Sequence, residues 1–343
     1  MRPRKAIALA GAAIAVAGAL TGCSTSPRAS AAPGGRLRLG YFANVTHATP
    51  LVAVERGTFA THLGPTRLET QVFNGGPAAV EAVFGGAIDA AYVGPSPAVN
   101  AYAKSKGRAV RIVAGATSGG AQLVVRPGIA TPHDLAGTTL ATPQLGNTQD
   151  VALRAYLKEH GVDADIAPAE NATTLQLFKD GDVDGAWLPE PWASRLVVEA
   201  GTTVLVDERD LWPGKQFATT HLIVATQYLE RHPDVVKRLL TAHVETTAWV
   251  NANEAEAKAT VNRALEKLTQ KALAPAVIDR AFANLTVTDD PVAASLSVSL
   301  EHAVHAGLIK PYDLHGIYDL RPLNDVLAAQ GKPAVTDAGL GRS

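Results

Sequence analysis

The residues best suited to chemistry lie in short polar runs, each following a β-rich stretch. Tyr41 to His47, with Asn44 inside it, is the first; Asn74-Gly75-Gly76, Gly94-Pro95-Ser96-Pro97 and Thr117-Ser118-Gly119-Gly120 follow. Later come Gln144 to Gln149, containing Asn147 and Thr148, then Asn171, and then Thr219-Thr220. These runs carry hydroxyls, amides and glycines and almost no charge. Helix N-termini expose unpaired N–H donors and partial positive charge, so several aimed at one cleft hold an anion without any lysine. Gly75 and Gly76 permit close backbone approach, and Ser96, Thr117, Ser118 and Thr148 add hydroxyl donors. Taken alone, each Ser, Thr or Asn equally suits helix capping, and Asn147 with Asp150 has that pattern. Asp150 also puts negative charge at its helix start, which opposes a full anion there. The collective pattern, rather than any one residue, points to a ligand.

The run Trp187-Leu188-Pro189-Glu190-Pro191-Trp192 is the most distinctive. Two indoles near a strand end suit a wall against the apolar part of a ligand. Glu190 suits a ligand cation, a protein arginine or the cap of the next helix. His47 suits donation to an anion or a structural role. Signatures of catalysis are weak. No P-loop and no Gly-x-Gly-x-x-Gly turn is present. His302 and His305 have no obvious third metal partner, so no metal site is expected. Gly94-Pro95-Ser96-Pro97-Ala98 resembles a nucleophile elbow only superficially, because Pro97 lacks the N–H that an oxyanion hole requires. The reading is of a non-enzyme without cofactor.

Placing these runs requires a scaffold of alternating strands and helices. Strands are expected at Leu37–Tyr41, Leu68–Phe73, Ala87–Val93 and Val110–Ala114, with helices near Thr49–Ala60, Pro77–Phe84 and Pro97–Lys106. The order then repeats, with strands near Thr139–Thr142, Ala164–Ala167, Val183–Leu188 and Thr203–Val206. Helices of this second half fall near Thr148–His160, Ala172–Asp180 and Pro191–Glu199. The octet Gly86 to Val93 aligns with Gly181 to Leu188 in residue type, each pairing Gly-x-Ile/Val-Asp with an aromatic. Two similar α/β lobes imply a cleft beyond the carboxyl ends of their strands. From Gln227 the pattern is helical: Gln227–Asn251, Glu254–Leu268, Ala274–Leu285 and Pro291–Ala306. The expected organisation is lobe one from 36–118 and 221–343, with lobe two, 119–220, inserted. Hinges are expected at Gly120–Val124 and His221–Val224.

The N-terminus is read apart from the fold. Arg2, Arg4 and Lys5 precede the uncharged apolar run Ala6 to Leu20, whose 15 residues are short for a bilayer-spanning helix. Leu20-Thr21-Gly22-Cys23 resembles a bacterial lipobox, which implies a signal peptide over 1–22, a lipid on Cys23 and a tether over 23–35. Cys23 is the only cysteine, so no intrachain disulfide forms. The chain of 343 residues has 47% apolar and 18% charged residues, which excludes a disordered protein. With 31 Lys plus Arg against 32 Asp plus Glu, a nucleic-acid partner is not expected.

Together with Leu39-Gly40-Tyr41-Phe42, Gly146-Asn147-Thr148-Gln149-Asp150 and Pro189-Glu190-Pro191-Trp192, these motifs resemble substrate-binding proteins of nitrate/sulfonate/taurine ATP-binding-cassette importers. The resemblance spans Arg36 to Leu327. It implies an α/β type II periplasmic-binding-protein fold, two parallel or mixed-sheet lobes around a central cleft, with C-terminal helices on lobe one. It also implies an extracytoplasmic, lipid-anchored protein that takes a small organic anion to a membrane permease driven by a cytoplasmic ATPase. An aliphatic sulfonate is the first expectation. Nitrate, bicarbonate, taurine and a thiamin pyrimidine are alternatives, and an enzyme on the same fold is the rival class. The ligand set implied is Tyr41, Asn44, His47, Asn74, Gly75, Ser96, Thr117, Ser118, Asn147, Thr148, Gln149, Trp187, Glu190, Trp192 and Thr219.

Overall fold

A computed structural model describes residues 35–342; the expected signal peptide over 1–22, Cys23 and the tether to residue 34 lie outside the described residues. Among the described residues eleven strands form two sheets. In chain order they are β1 (Arg36–Phe42), β2 (Arg67–Phe73), β3 (Ala90–Val93), β4 (Val110–Gly119), β5 (Ala121–Val125) and β6 (Thr139–Thr142). The rest are β7 (Asp165–Pro168), β8 (Gly185–Pro189), β9 (Thr203–Asp207), β10 (Ala218–Ala225) and β11 (Leu285–Val287).

The first sheet has the order β11-β4-β10-β3-β1-β2, and the second β7-β6-β8-β5-β9. The two share a plan. In each, three parallel strands joined by helices (β2-β1-β3 and β7-β6-β8) are extended by an antiparallel strand, β10 or β5. The repeated octet explains part of the likeness. Asp89, just before β3, accepts the Arg38 N–H of β1 at 2.8 Å, and Asp184, just before β8, accepts the Thr139 N–H of β6 at 2.9 Å. Each carboxylate therefore ties the start of one parallel strand to its neighbour, where a free N–H at the sheet end would otherwise be unpaired.

The core of the first sheet is one cluster that takes in Leu39, Tyr92 and Ile112 with the C-terminal helical residues Leu239, Val261, Leu296 and Leu323. The second sheet is packed on both faces by smaller clusters, one around Leu123, Leu153 and Trp187, the other around Phe178, Leu188 and Leu196. Parallel strands covered on both sides read as continuous apolar runs, as β8 does with every residue buried.

Several boundaries differ from expectation. The helix expected at Thr49–Ala60 is two, Ala48–Glu55 and Thr58–Leu63, because Gly57 sits between them at φ 74°. The long helix expected over Gln227–Asn251 breaks into Thr226–Arg231 and Pro233–Ala252. The residue before a proline avoids helical backbone, and His232 adopts φ −133° and ψ 49°. β4 continues to Gly119, well past Ala114. The segment expected as a hinge at Gly120–Val124 is mostly β5. The turn between the sheets is confined to Gly119 and Gly120, at φ 72° and 77°, a backbone region that favours glycine. His221–Val224 lies in the middle of β10, paired on both sides, and the return between sheets runs through 208–217. Helix Arg321–Ala329 was not expected.

Candidate functional site

The carboxyl ends of β1 and β3 face those of β6 and β8 across a narrow cleft. Several hydrogen bonds draw the two sides together. Trp192 Nε1 donates to Asn44 Oδ1 at 2.7 Å, Asn74 Nδ2 to Glu170 Oε1 at 2.9 Å, and the Thr46 N–H to the Glu190 carbonyl at 3.3 Å. At the rim, Lys158 Nζ donates to the His305 carbonyl at 2.8 Å. Closure leaves two small adjoining cavities. One, of about 20 Å³, is lined by Asn44, His47, Asn147, Thr148, Gln149 and Thr219 among others; the second, of about 40 Å³, is lined by Phe73, Asn74, Glu170 and Trp192. Asn44 and Asn171 line both. The first has room for one or two water-sized groups.

The polar groups of the first cavity are buried and neutral. Thr148 begins helix Thr148–Glu159, and its N–H is capped by Asn147 Oδ1 at 3.0 Å, so its own hydroxyl is spared from capping. Thr148 Oγ1, Thr220 Oγ1 and Asn171 Oδ1 are buried without a hydrogen-bond partner among the described residues. A buried polar atom left unpaired costs about 1–3 kcal/mol, so three around one cavity mark a place where a guest completes the bonding. His47 is 2% exposed, and burial lowers its pKa to about 3. Its Nδ1 accepts the Phe42 N–H at 3.3 Å, which leaves Nε2 to carry the proton of a neutral ring. Asp150 Oδ1 accepts from Thr142 at 3.0 Å and Oδ2 from the Gly146 N–H at 2.9 Å, with Arg154 at 3.1 Å. Its charge is therefore compensated behind the helix start.

The expected ligand set divides accordingly. Asn44, His47, Asn147, Thr148, Gln149 and Thr219 meet around the first cavity, and Asn74 and Trp192 around the second. Trp187 is elsewhere. It is fully buried in the second sheet's core, edge-on to Tyr156 at 5.5 Å, and its Nε1 donates to Glu208 Oε2 at 2.7 Å. Of the expected pair of indoles only Trp192 lines a cavity. The Trp187 side chain packs in the cluster on one face of β8, while Trp192, at the start of the following helix, packs in the cluster on the other. Glu190 is also fully buried, and of the three roles open to it two are filled at once. It accepts the Ser194 N–H at 3.1 Å at the start of helix Trp192–Ala200, and pairs with Arg280 at 3.3 Å and Asn284 at 2.7 Å. Burial raises its pKa, while Asn284, Ser194 and Arg280 pull the other way. The Glu190-Pro191 peptide is cis.

Five others do not line either cavity. Tyr41 packs in the first core, the Thr117 hydroxyl is spent on the Thr46 carbonyl at 2.6 Å, and Ser96 lies buried in helix Pro95–Lys104. Ser118 opens on a different hollow, beside Arg209 and Asp290. Gly75 marks close approach only: a Cβ there would stand 2.7 Å from the Gln144 side chain. Lining residues absent from the expected set include Phe42, Thr46, Gly94, Glu170, Asn171 and Thr220. Asn171 and Thr220 stand in runs that the sequence already marks; Glu170 carries no such signal. Among the described residues no group of three metal-ligating side chains occurs, and no helix is long and apolar enough to cross a membrane.

Comparison with known proteins extends this picture. The model of the NMT1-like family matches residues 30–265. The chain belongs to the NMT1-like family. The taurine-binding periplasmic protein of Escherichia coli (strain K12) is 28% identical to it over 212 residues, 61% of this chain and 65% of that protein. In structure, this family member is similar to the alkanesulfonate-binding protein SsuA of Xanthomonas axonopodis pv. citri, solved bound to MOPS. The TM-score is 0.68 at 20% identity, covering 82% of this chain and 96% of the other. The periplasmic nitrate-binding protein NrtA of Synechocystis PCC 6803 gives a TM-score of 0.69 at 17% identity, covering 80% and 82%. The fold of this NMT1-like chain is therefore the two-sheet α/β fold of periplasmic binding proteins, as its sequence motifs imply.

Proposed function

We propose that this protein is the extracytoplasmic solute-binding component of an ATP-binding-cassette importer, held to the membrane by a lipid on Cys23. Its ligand is a small organic anion, an aliphatic sulfonate foremost. The observation that carries the reading is the ring of buried, neutral, unpartnered donors in the first cavity: the Thr148 and Thr220 hydroxyls with His47 beside them. An anion's oxygens accept from such groups with no cationic side chain in place, and a dry site strengthens each bond. The adjoining cavity, with Phe73 and Trp192 on its wall, suits a short apolar tail. The two turns at 119–120 and 208–217 let the second sheet rotate over a ligand seated on the first, and the closed form is what a permease recognises. Binding rather than catalysis is favoured because Ser96, the one elbow-like hydroxyl, is off the cavity and is followed by Pro97.

A second reading is an inorganic oxyanion of nitrate size, favoured by the small volume of the first cavity and by the withdrawal of Trp187 from its wall. A thermal-shift panel of alkanesulfonates, taurine, nitrate, sulfate, bicarbonate and thiamin pyrimidines separates the two. A true ligand at 100 times its Kd adds about 2.7 kcal/mol of stability. Stabilisation by ethanesulfonate but not nitrate supports the first reading, nitrate alone supports the second, and no response to any anion removes both.

A further inference from the structure

A large hollow among the described residues lies away from the cleft. It lies at the opposite end of the first sheet, where β1 begins and β10 ends, and measures about 720 Å³. Four arginines line it, Arg36, Arg38, Arg108 and Arg231, against a single carboxylate, Asp89. That carboxylate is already used. Asp89 Oδ2 takes Arg38 Nε at 2.9 Å and the Arg38 N–H at 2.8 Å, Oδ1 takes Arg38 Nη2, and Arg38 Nη1 donates to the Gly86 carbonyl. Arg108 reaches only a backbone oxygen, that of Ser105, at 3.2 Å. Arg36 and Arg231 are exposed and have no acidic partner among the described residues. Three guanidinium groups thus face one concave space without compensation, on a chain whose overall charge is −1.

We propose that this groove is a second anion site, for a phosphate-bearing group such as a phosphomonoester or the head group of an acidic phospholipid. The guanidinium fork matches two phosphate oxygens at once, and a groove lined by one sign of charge concentrates the opposite one. The volume accepts a head group much larger than anything the closed cleft admits. Gly35, on the groove wall, is where the chain arrives from Cys23. Gly35 lies twelve residues beyond Cys23, a reach of at most about 43 Å for any chain, so a lipid on Cys23, as proposed above, keeps the groove near the membrane surface.

The test uses the full chain carrying Cys23→Ser, so that it does not depend on lipidation. Calorimetric titrations are run with dihexanoyl phosphatidylglycerol and dihexanoyl phosphatidylcholine below their micelle concentrations, and with glycerol 3-phosphate. They compare three proteins: this parent, R36Q/R108Q/R231Q, and a control losing three distant cations, K179Q/K271Q/K310Q. The expected result is binding of phosphatidylglycerol that falls on the order of a hundredfold in the groove variant and persists in the control. Glycerol 3-phosphate bound with the same variant dependence, and phosphatidylglycerol not bound, assigns the site to soluble phosphates. The proposal is overturned if no phosphate compound binds, or if the groove variant binds as the parent does. The cleft reading is untouched by either outcome, since ethanesulfonate is assayed separately.

Discussion

Gly94 offers the sharpest perturbation of the cleft. It caps helix Pro95–Lys104 on the first sheet at φ −72° and ψ 166°, an extended backbone that alanine adopts freely. A Cβ added there would lie 2.1 Å from Thr148 Oγ1, whereas ordinary contact begins at 3.4 Å. Rotating Thr148 does not remove the crowding, because its own Cβ would then stand 3.3 Å away and its hydroxyl would leave the cavity. Thr148 belongs to the second sheet's half, so the clash exists only when the cleft is shut. Overpacking of this kind costs about 1–3 kcal/mol, which lowers ligand affinity roughly fivefold to 150-fold. Unfolding stability should fall by no more than about 1 kcal/mol, the ordinary penalty for alanine at a helix N-cap. The assay is calorimetric titration of Gly94→Ala with ethanesulfonate beside urea unfolding, and the cycle with Thr148→Ala should show the two losses to be less than additive. Parent-like affinity in Gly94→Ala would refute the claim that closing brings Thr148 against Gly94.

Three further outcomes follow from the same geometry. Trp187→Phe leaves Glu208 Oε2 without its donor, so urea unfolding should show a loss of about 1–3 kcal/mol with sulfonate affinity unchanged; a tenfold fall in affinity would return the indole to the site. Burial raises the Glu208 pKa from 4.5 to about 7, with Trp187 partly offsetting it. A folded carboxyl that holds its proton more tightly than the unfolded one stabilises fully below pH 4.5, and that contribution is lost as pH rises through 7. Stability from pH 5 to pH 8 should therefore decline by on the order of 3 kcal/mol more in the parent than in Glu208→Gln, as read from urea midpoints. His47 is neutral, with its pKa at about 3, so ethanesulfonate affinity should be flat between pH 6 and pH 8; a tenfold tightening toward pH 6 would show an imidazolium at work.

Much of the frame is legible in the residues. The strand at Thr139–Thr142 has the bounds its pattern indicates, and the octets at 86–93 and 181–188 occupy equivalent places because their aspartates make the same bond to a neighbouring strand. Several of the polar runs after the strands meet at one cleft, since strand direction sets which ends meet, while Thr117 and Ser118 lie away from it. What could not be read is orientation and long-range pairing. Nothing in a strand buried on both faces tells which side Trp187 takes. Glu190 is satisfied by Arg280 and Asn284, ninety and more residues away on the C-terminal helical side, a contact that no local spacing announces. Gly119-Gly120 announces a turn, but the strand immediately after it, β5, reads as part of the crossing because its partner β8 comes 60 residues later.

The central claim is that an anion sits between the sheets on neutral donors, and the most direct test is to locate one. Crystals grown with 2-bromoethanesulfonate, measured at the bromine edge, should show the anomalous peak in the second cavity beside Trp192, with the sulfonate oxygens in reach of the Thr148 and Thr220 hydroxyls. A peak in the arginine-lined groove at the far end of the first sheet, with the cleft left unchanged, would contradict the account.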